Sequence, residues 1–170
     1  MDLKGKIRDV PDFPVEGVLF RDITPLIGDP LAFRFTIDEL CVHAARRDAS
    51  TIVGIESRGF VFGAAIADRM RLPFVPLRKE GKLPTARISI EYSLEYGDSL
   101  LEIHEDALAL GKRAYIVDDL LATGGTAAAS AKLVELAGGE VVGLGFVIEL
   151  EDLRGRGKID GYEAISLVRY

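Results

Sequence analysis

The chain has 170 residues, 48% of them hydrophobic, and a formal net charge of −6 at pH 7. This length and composition fit one domain, residues 1–170, whose core needs no disulfide or metal. The acidic balance argues against general nucleic-acid binding, and no apolar run is long enough to span a bilayer. The N-terminal MDLKGKIRDV has no apolar stretch of a secretory signal, and the single cysteine fits a reducing compartment. We therefore expect a cytoplasmic protein that binds neither nucleic acid nor a membrane.

The N-terminal part of the chain changes from irregular to regular structure at Asp29. Proline and glycine interrupt residues 7–30, which predicts irregular structure there. Asp29 is then a good N-cap and Pro30 a good first helical residue for a helix with an apolar face. Further along, the hydrophobic patterns predict a buried strand, a helix and a short strand, at residues 50–55, 59–71 and 72–77.

The second half of the chain continues this alternation after a polar interruption. Residues 78–103 are polar, carry glycine and proline early, and then alternate weakly like a hairpin. The elements predicted after it are a strand, a helix ended by Gly138 and Gly139, and two more strands, at residues 113–119, 124–137, 140–150 and 163–168. The alternation predicts an α/β fold, a mainly parallel twisted sheet flanked by helices.

Polar segments follow three of these predicted strands. They are ESRG, RKEGK and DDLLATGGT. In parallel sheets, ligands bind beyond the carboxyl ends of the strands, so we expect the three segments to form one site.

One of these segments has the features of a phosphate cradle, and we call it the glycine turn: Ala122, Thr123, Gly124, Gly125 and Thr126. Its glycines allow backbone N–H groups to converge, the following helix adds the positive end of its dipole, and the threonines add hydroxyl donors. It is neither a Walker P-loop nor a G-x-G-x-x-G dinucleotide motif. The alternative is an ordinary strand-to-helix turn with a threonine cap.

Asp118 and Asp119, the acid pair, directly precede this turn. Neighbouring residues of a strand point in opposite directions, so at least one carboxylate should face the crevice. A carboxylate beside a phosphate cradle repels the phosphate unless a spacer separates them. A ribose 5-phosphate provides that spacer, because the carboxylate accepts hydrogen bonds from its cis-diol. The alternatives are solvated acids or a metal site.

The segment VDDLLATGGT resembles the phosphoribosyl pyrophosphate (PRPP) motif of the type I phosphoribosyltransferase family. GVLFRDITPL, GIESRGFVFG, RKEGKLP, YSLEYG and LEIHEDA occur in the order and spacing of its adenine-specific members. The resemblance implies the family fold, with an N-terminal hood (about residues 1–28) and a flexible catalytic lid (about residues 78–100). It also implies the reaction: adenine and PRPP give AMP and pyrophosphate, a purine-salvage step.

The resemblance further implies a role for individual residues. Glu95 and Arg58 would be catalytic, with Glu95 transferring a proton near the base. The acid pair and the glycine turn would hold the ribose and its 5-phosphate. Pyrophosphate would be held by Ser57, Arg58, Gly59, Lys79 and Lys82. Adenine would be held by Leu19, Phe20, Arg21, Leu120 and Leu150, with Leu19 and Arg21 reading its edge through backbone groups and Phe20 stacking on the ring.

Simpler readings stand beside these roles. Arg58 is then a surface arginine, the lid cations are a solvated charge run, Glu95 is an exposed strand acid, and Phe20 packs in the core. Family members also often have a non-proline cis peptide in the pyrophosphate loop, which we expect around residues 56–58.

The resemblance implies Mg²⁺ held mainly by PRPP and pyrophosphate oxygens, with no direct protein ligand, and a homodimer. Cys41, His43 and His104 do not have the spacing of a zinc site. Two rival functions remain at this stage. One is a PRPP or nucleotide sensor of the same fold, and the other is a transferase for a different purine.

Overall fold

The computed structural model describes residues 1–94 and 97–170. Within them the strands are β1 (Arg8–Pro11), β2 (Leu19–Asp22), β3 (Thr51–Ile55), β4 (Phe74–Lys79), β5 (Arg87–Leu94), β6 (Gly97–His104), β7 (Arg113–Leu121), β8 (Glu140–Glu149) and β9 (Ala164–Arg169). The α-helices are α1 (Thr24–Gly28), α2 (Pro30–Ala45), α3 (Gly59–Met70) and α4 (Gly125–Leu136). Short 3-10 helices lie at Lys4–Lys6, Glu151–Leu153 and Gly155–Ile159.

Seven strands form one sheet in the order β5-β6-β4-β3-β7-β8-β9. The strands β4, β3, β7, β8 and β9 run parallel, while β5 and β6 form an antiparallel hairpin at one edge. This confirms the predicted α/β class, and each strand and helix predicted after Asp29 is present to within a few residues. The carboxyl ends of the five parallel strands share one edge, which is where the polar segments emerge.

The two faces of the sheet have separate hydrophobic cores, because side chains alternate along each strand. On β7, Ala114 and Ile116 pack on the α4 side, whereas Tyr115 and Val117 pack on the side of α2 and α3. All four are fully buried. Helices therefore cover both faces of the central strands. A ligand can approach these strands only at an edge of the sheet, such as the one formed by their carboxyl ends.

The start of α2 is as predicted. The Asp29 carboxylate accepts hydrogen bonds from the backbone N–H groups of Leu31 at 2.9 Å and Ala32 at 3.1 Å. Pro30 occupies the first turn, where its missing N–H leaves no helical bond unmade.

The expectation of irregular structure before Asp29 was wrong for two segments. β1 and β2 pair antiparallel over four residues, and α1 follows directly. Each strand of this ladder has only four residues, which is too few to show a clear alternation of hydrophobic and polar side chains. This small hairpin lies within residues 1–28, the segment that the resemblance assigns to the hood.

The lid begins on β4 and continues into the β5–β6 hairpin, which confirms the predicted hairpin. Its flexibility stays a prediction. Across the described part of the chain, no helix combines the length and apolar character that crossing a membrane requires.

Candidate active site

A cleft of about 400 Å³ opens at the carboxyl ends of β3, β4 and β7. Several residues predicted from the sequence line it: Ser57, Arg58, Lys79, Asp118, Asp119, Leu120 and the whole glycine turn. The structure therefore brings the three polar segments together at one edge of the sheet.

The glycine turn connects β7 to α4 through a left-handed residue. Gly124 has φ 80° and is the N-cap of α4, so no side chain caps the helix. The N–H groups in the first turn of a helix have no acceptor within the helix. Gly125, Thr126 and Ala127 line the cleft at this point. The turn can therefore present main-chain donors and the positive end of α4 to an anion.

The acid pair lies at the cleft beside this positive end. Asp119 is only 5% exposed, and its Oδ2 atom lies 3.0 Å from Arg58 Nε. Burial raises the pKa of Asp118, and the neighbouring Asp119 charge raises it further. Burial also raises the pKa of Asp119, although the Arg58 guanidinium opposes this. Two close carboxylates, one buried and one half-buried, are destabilised when both are ionised, so they favour a ligand that donates hydrogen bonds to them.

The pyrophosphate loop between β3 and α3 packs directly on the strand that carries the acid pair. A Cβ added to Gly59 would lie 2.7 Å from the Val117 carbonyl oxygen and 3.0 Å from Asp118 Oδ1. Only glycine fits this approach. The Glu56–Ser57 peptide is cis, as the sequence predicts.

The lid cations surround a carboxylate that the sequence analysis did not single out. Glu56 accepts hydrogen bonds from Lys82 Nζ at 2.7 Å, Lys79 N at 2.8 Å and Arg78 Nε at 3.1 Å. Burial alone would raise the pKa of Glu56, but these donors outweigh it and lower the pKa to about 2. Lys79 lines the cleft, whereas Lys82 is bound to Glu56 in this state.

The predicted adenine-binding residues are only partly assembled around the cleft. The Phe20 ring lies 5.5 Å from the Arg58 guanidinium, so the hood reaches the pyrophosphate loop. Leu120 lines the cleft, and Leu150 packs in the same hydrophobic cluster as Leu120. Leu19 and Arg21 do not line it.

The Arg21 side chain instead contacts Asp9 and Tyr170. It forms an ion pair with Asp9, and its guanidinium lies 3.7 Å from the centroid of the Tyr170 ring. These contacts use the side chain of Arg21 and leave open the backbone role that the resemblance implies. Glu95, the predicted proton-transfer group, lies outside the described residues.

Five further residues that line the cleft were not among the predicted site residues: Glu56, Tyr92, Leu121, Ala127 and Leu153. Glu56 stands inside the quoted ESRG segment, so its position was a usable signal. Tyr92 likewise stands in the quoted YSLEYG segment, and Leu121 and Ala127 flank the glycine turn. Leu153 reaches the cleft only through tertiary packing, and no local pattern marks it. Among residues 1–94 and 97–170, no cluster of three or more His, Cys, Asp or Glu side chains is arranged to hold a metal ion.

Comparison with known proteins agrees with this geometry. The family model described as "Phosphoribosyl transferase domain" matches residues 36–167. An adenine phosphoribosyltransferase from Gloeobacter violaceus is 57% identical, with 100% of each chain covered. The crystal structure of the enzyme from Thermoanaerobacter pseudethanolicus is 51% identical, with a TM-score of 0.95 and coverage of 99% of this chain and 98% of that chain.

The Saccharomyces cerevisiae adenine phosphoribosyltransferase is 40% identical, with a TM-score of 0.92 and coverage of 98% and 96%. Its crystal structure contains adenine and D-2,5-dideoxy-2,5-imino-altritol 1,6-bisphosphate. The chain belongs to the adenine phosphoribosyltransferases, within the phosphoribosyl transferase domain family.

Proposed function

We propose that this protein transfers the 5-phosphoribosyl group of PRPP to adenine, giving AMP and pyrophosphate. The observation that carries the proposal is one cleft that contains a main-chain anion cradle, the acid pair and the cationic residues Arg58 and Lys79. A phosphorylated sugar with a second anionic group matches these three features: its phosphate fits the cradle, its hydroxyls fit the acid pair, and its second anionic group fits the cationic residues. The yeast relative, crystallised with adenine and a sugar-like bisphosphate, supports the same pairing of ligands.

The 5-phosphate is assigned to the glycine turn and the ribose hydroxyls to the acid pair. Main-chain N–H groups at the start of α4 are fixed by the helix itself, so they need little reorganisation when the phosphate binds. The two carboxylates accept hydrogen bonds from the cis-diol, which compensates the desolvation that raises their pKa.

The pyrophosphate is assigned to Ser57, Arg58 and Gly59, with Lys79 and Lys82 from the lid. Arginine offers a planar fork of donors that suits phosphate oxygens. Mg²⁺ would be held mainly by the pyrophosphate oxygens and water, where it would neutralise part of the leaving-group charge. The chain's own contribution is to orient the leaving group with Arg58, which Asp119 holds in place at 3.0 Å.

Adenine is assigned to the space between the hood and the side of the cleft that Leu120 lines. Phe20 is already close to Arg58, which supports a base stacked next to the pyrophosphate loop. Backbone groups of Leu19 and Arg21 would accept from the exocyclic amine and donate to ring N1. A 6-oxo purine has the reverse pattern and would leave buried groups unpaired, at about 1–3 kcal/mol each.

The proposed reaction is a displacement at C1 of the ribose. The C1–O bond to pyrophosphate breaks with its electron pair leaving on the pyrophosphate oxygen, and adenine N9 bonds to C1 from the opposite face and gives up its proton. Glu95 is proposed as the group that handles this proton. Positioning, exclusion of water by the lid and cationic stabilisation of the leaving group would supply the rate enhancement.

A homodimer and a cytoplasmic location are part of the proposal. The family resemblance supports the homodimer, which light scattering on the purified protein would test. The cysteine content supports a reducing compartment, because Cys41 is the single cysteine of the chain and cannot form an internal disulfide.

The test is an assay with purified protein, PRPP and Mg²⁺, in which adenine, hypoxanthine and guanine compete. The proposal predicts AMP and pyrophosphate as the products, with little nucleotide formed from the other two bases. Binding of PRPP without any turnover would favour the sensor, and formation of IMP or GMP in preference to AMP would favour a different purine substrate.

A further inference from the structure

The segment Glu151–Ile159, which follows β8, packs backbone to backbone against the glycine turn. A Cβ added to Gly124 would lie 2.3 Å from the Gly155 carbonyl oxygen. A Cβ added to Gly155 would lie 2.2 Å from the Ala122 carbonyl oxygen. Both approaches are closer than any side chain allows, so the conformation of the turn depends on where Gly155 sits.

Arg156, the next residue, is held by a buried carboxylate. Its Nε atom donates to Glu149 Oε1 at 2.8 Å and its Nη2 atom to Glu149 Oε2 at 2.8 Å, which is a bidentate pair. Nη1 also donates to the Ala164 carbonyl at 3.0 Å, and Nη2 to Ser166 Oγ at 3.1 Å. The arginine therefore connects the segment to the ends of β8 and β9 through several directed bonds.

This anchor lies close to the place where the glycine turn begins. Glu149 is paired in register with Leu121, the residue before Ala122. Its side chain is 6% exposed. On the other side of the segment, Ile159 is buried in the core that includes Ala127 and Ala131 of α4. The segment is thus fixed by an ion pair at Arg156, directly after Gly155, and by apolar packing at Ile159, its last residue.

We infer that Glu149 and Arg156 are positioning residues for the 5-phosphate: they hold Gly155 against the glycine turn and so set the direction of its N–H groups. The inference rests on the proposed function, because it assigns the turn to the 5-phosphate. Neither residue touches the substrate in this account. Displacement of a catalytic or binding group by about 1 Å is enough to weaken function severely.

Three variants test the inference. Arg156→Lys keeps the charge but removes the bidentate fork, and Ser166→Ala removes a single hydrogen bond to Arg156. Glu140→Gln is the matched control. Glu140 begins β8, at the opposite end of the strand from Glu149, and both of its carboxylate oxygens accept hydrogen bonds from Arg113 Nη1, at 2.9 and 2.8 Å.

The readouts are KM for PRPP, KM for adenine and the dissociation constant of ribose 5-phosphate by calorimetry. Arg156→Lys is expected to raise KM for PRPP and the ribose 5-phosphate constant about tenfold while KM for adenine stays within about twofold. Ser166→Ala is expected to move the same two constants in the same direction by about twofold, and Glu140→Gln to move none. A role in general stability would instead alter both KM values together.

The inference is overturned if Arg156→Lys and Ser166→Ala leave the ribose 5-phosphate constant and the KM for PRPP at the control values. Ribose 5-phosphate binding needs no turnover, so this result is separate from a failure of the proposed reaction. A wild-type protein that binds ribose 5-phosphate but forms no AMP contradicts the transferase assignment, while the effect of Arg156→Lys on that binding still decides the positioning role.

Discussion

The two sides of the cleft that are proposed to bind anions differ in construction, one being main chain and the other mostly side chains. The glycine turn is main chain, held by direct contact with Gly155 and by the start of α4. The side proposed for pyrophosphate consists largely of side chains, and Lys82 and Arg78 are paired with Glu56. The 5-phosphate is unchanged by the proposed reaction, whereas pyrophosphate must be bound and then released. A rigid main-chain site suits the 5-phosphate. Cationic side chains that can exchange between the Glu56 carboxylate and the leaving group suit the pyrophosphate.

The largest effect is expected from the acid pair, which lies between the two sides. Asp118→Asn combined with Asp119→Asn should lower kcat/KM for PRPP by about 10³-fold, because both diol acceptors and the partner of Arg58 are weakened. Steady-state kinetics measure this loss. The adjacent exposed acids Glu105 and Asp106 provide a matched control, and Glu105→Gln with Asp106→Asn should retain full activity. Near-normal activity of the Asp118/Asp119 variant would contradict the placement of the ribose.

The same acid pair should show that function and stability are opposed here. An acid whose pKa is raised by folding destabilises the folded state when ionised, and this penalty is present at neutral pH and absent below the ordinary pKa of 3.8. Asp118→Asn alone should therefore increase the free energy of unfolding at pH 7 by about 1 kcal/mol, measured by denaturant titration. If Asp118→Asn were equally less stable than wild type at pH 7 and below pH 3.8, ionisation of Asp118 would not be the cause.

The next largest effect is expected at the rigid side. Gly124→Ala places a Cβ at φ 80° and 2.3 Å from the Gly155 carbonyl, so the turn must shift. We expect about 10²-fold weaker binding of PRPP and ribose 5-phosphate. Gly157→Ala is the control, because a Cβ there has nothing within 4 Å and the residue belongs to the same 3-10 helix as Gly155. If the two variants bound ribose 5-phosphate equally well, the glycine turn would not be the phosphate-binding site.

A smaller effect is expected at the side-chain side. Glu56→Gln weakens the carboxylate that holds Lys82 and Arg78, and KM for PRPP should rise only about fivefold because those cations keep the pyrophosphate as a partner. Glu163→Gln, at a surface pair with Arg47, is the control. A loss as large as that of Gly124→Ala would show that both sides are equally preorganised.

Glu56 also provides a pH signature. Its pKa is about 2 in the folded chain against an ordinary 4.5, so its stabilising contribution is complete above pH 4.5 and is lost as the pH falls to about 2. Wild-type stability should therefore decline across this window more steeply than that of Glu56→Gln. Parallel acid-denaturation curves for the two proteins would exclude the ion cluster as the cause.

The sequence was sufficient for the features that depend on neighbouring residues. Strand and helix periods after Asp29 predict the α/β sheet, and the acid pair with the glycine turn predicts the cleft, because all of these lie in short continuous segments. The hood hairpin was missed because its four-residue strands are too short to show a clear side-chain alternation. The contact between Gly124 and Gly155 could not be predicted, because the two residues are far apart along the chain. Nothing in the sequence distinguishes these two glycines from the others.

A crystal structure of the protein with AMP tests the central claim most directly. The account predicts the phosphoryl oxygens within hydrogen-bond distance of the main-chain N–H groups of Thr123–Thr126, with the ribose hydroxyls at Asp118 and Asp119. A phosphoryl group bound anywhere else, for example at Arg58 and Lys79, would contradict the account.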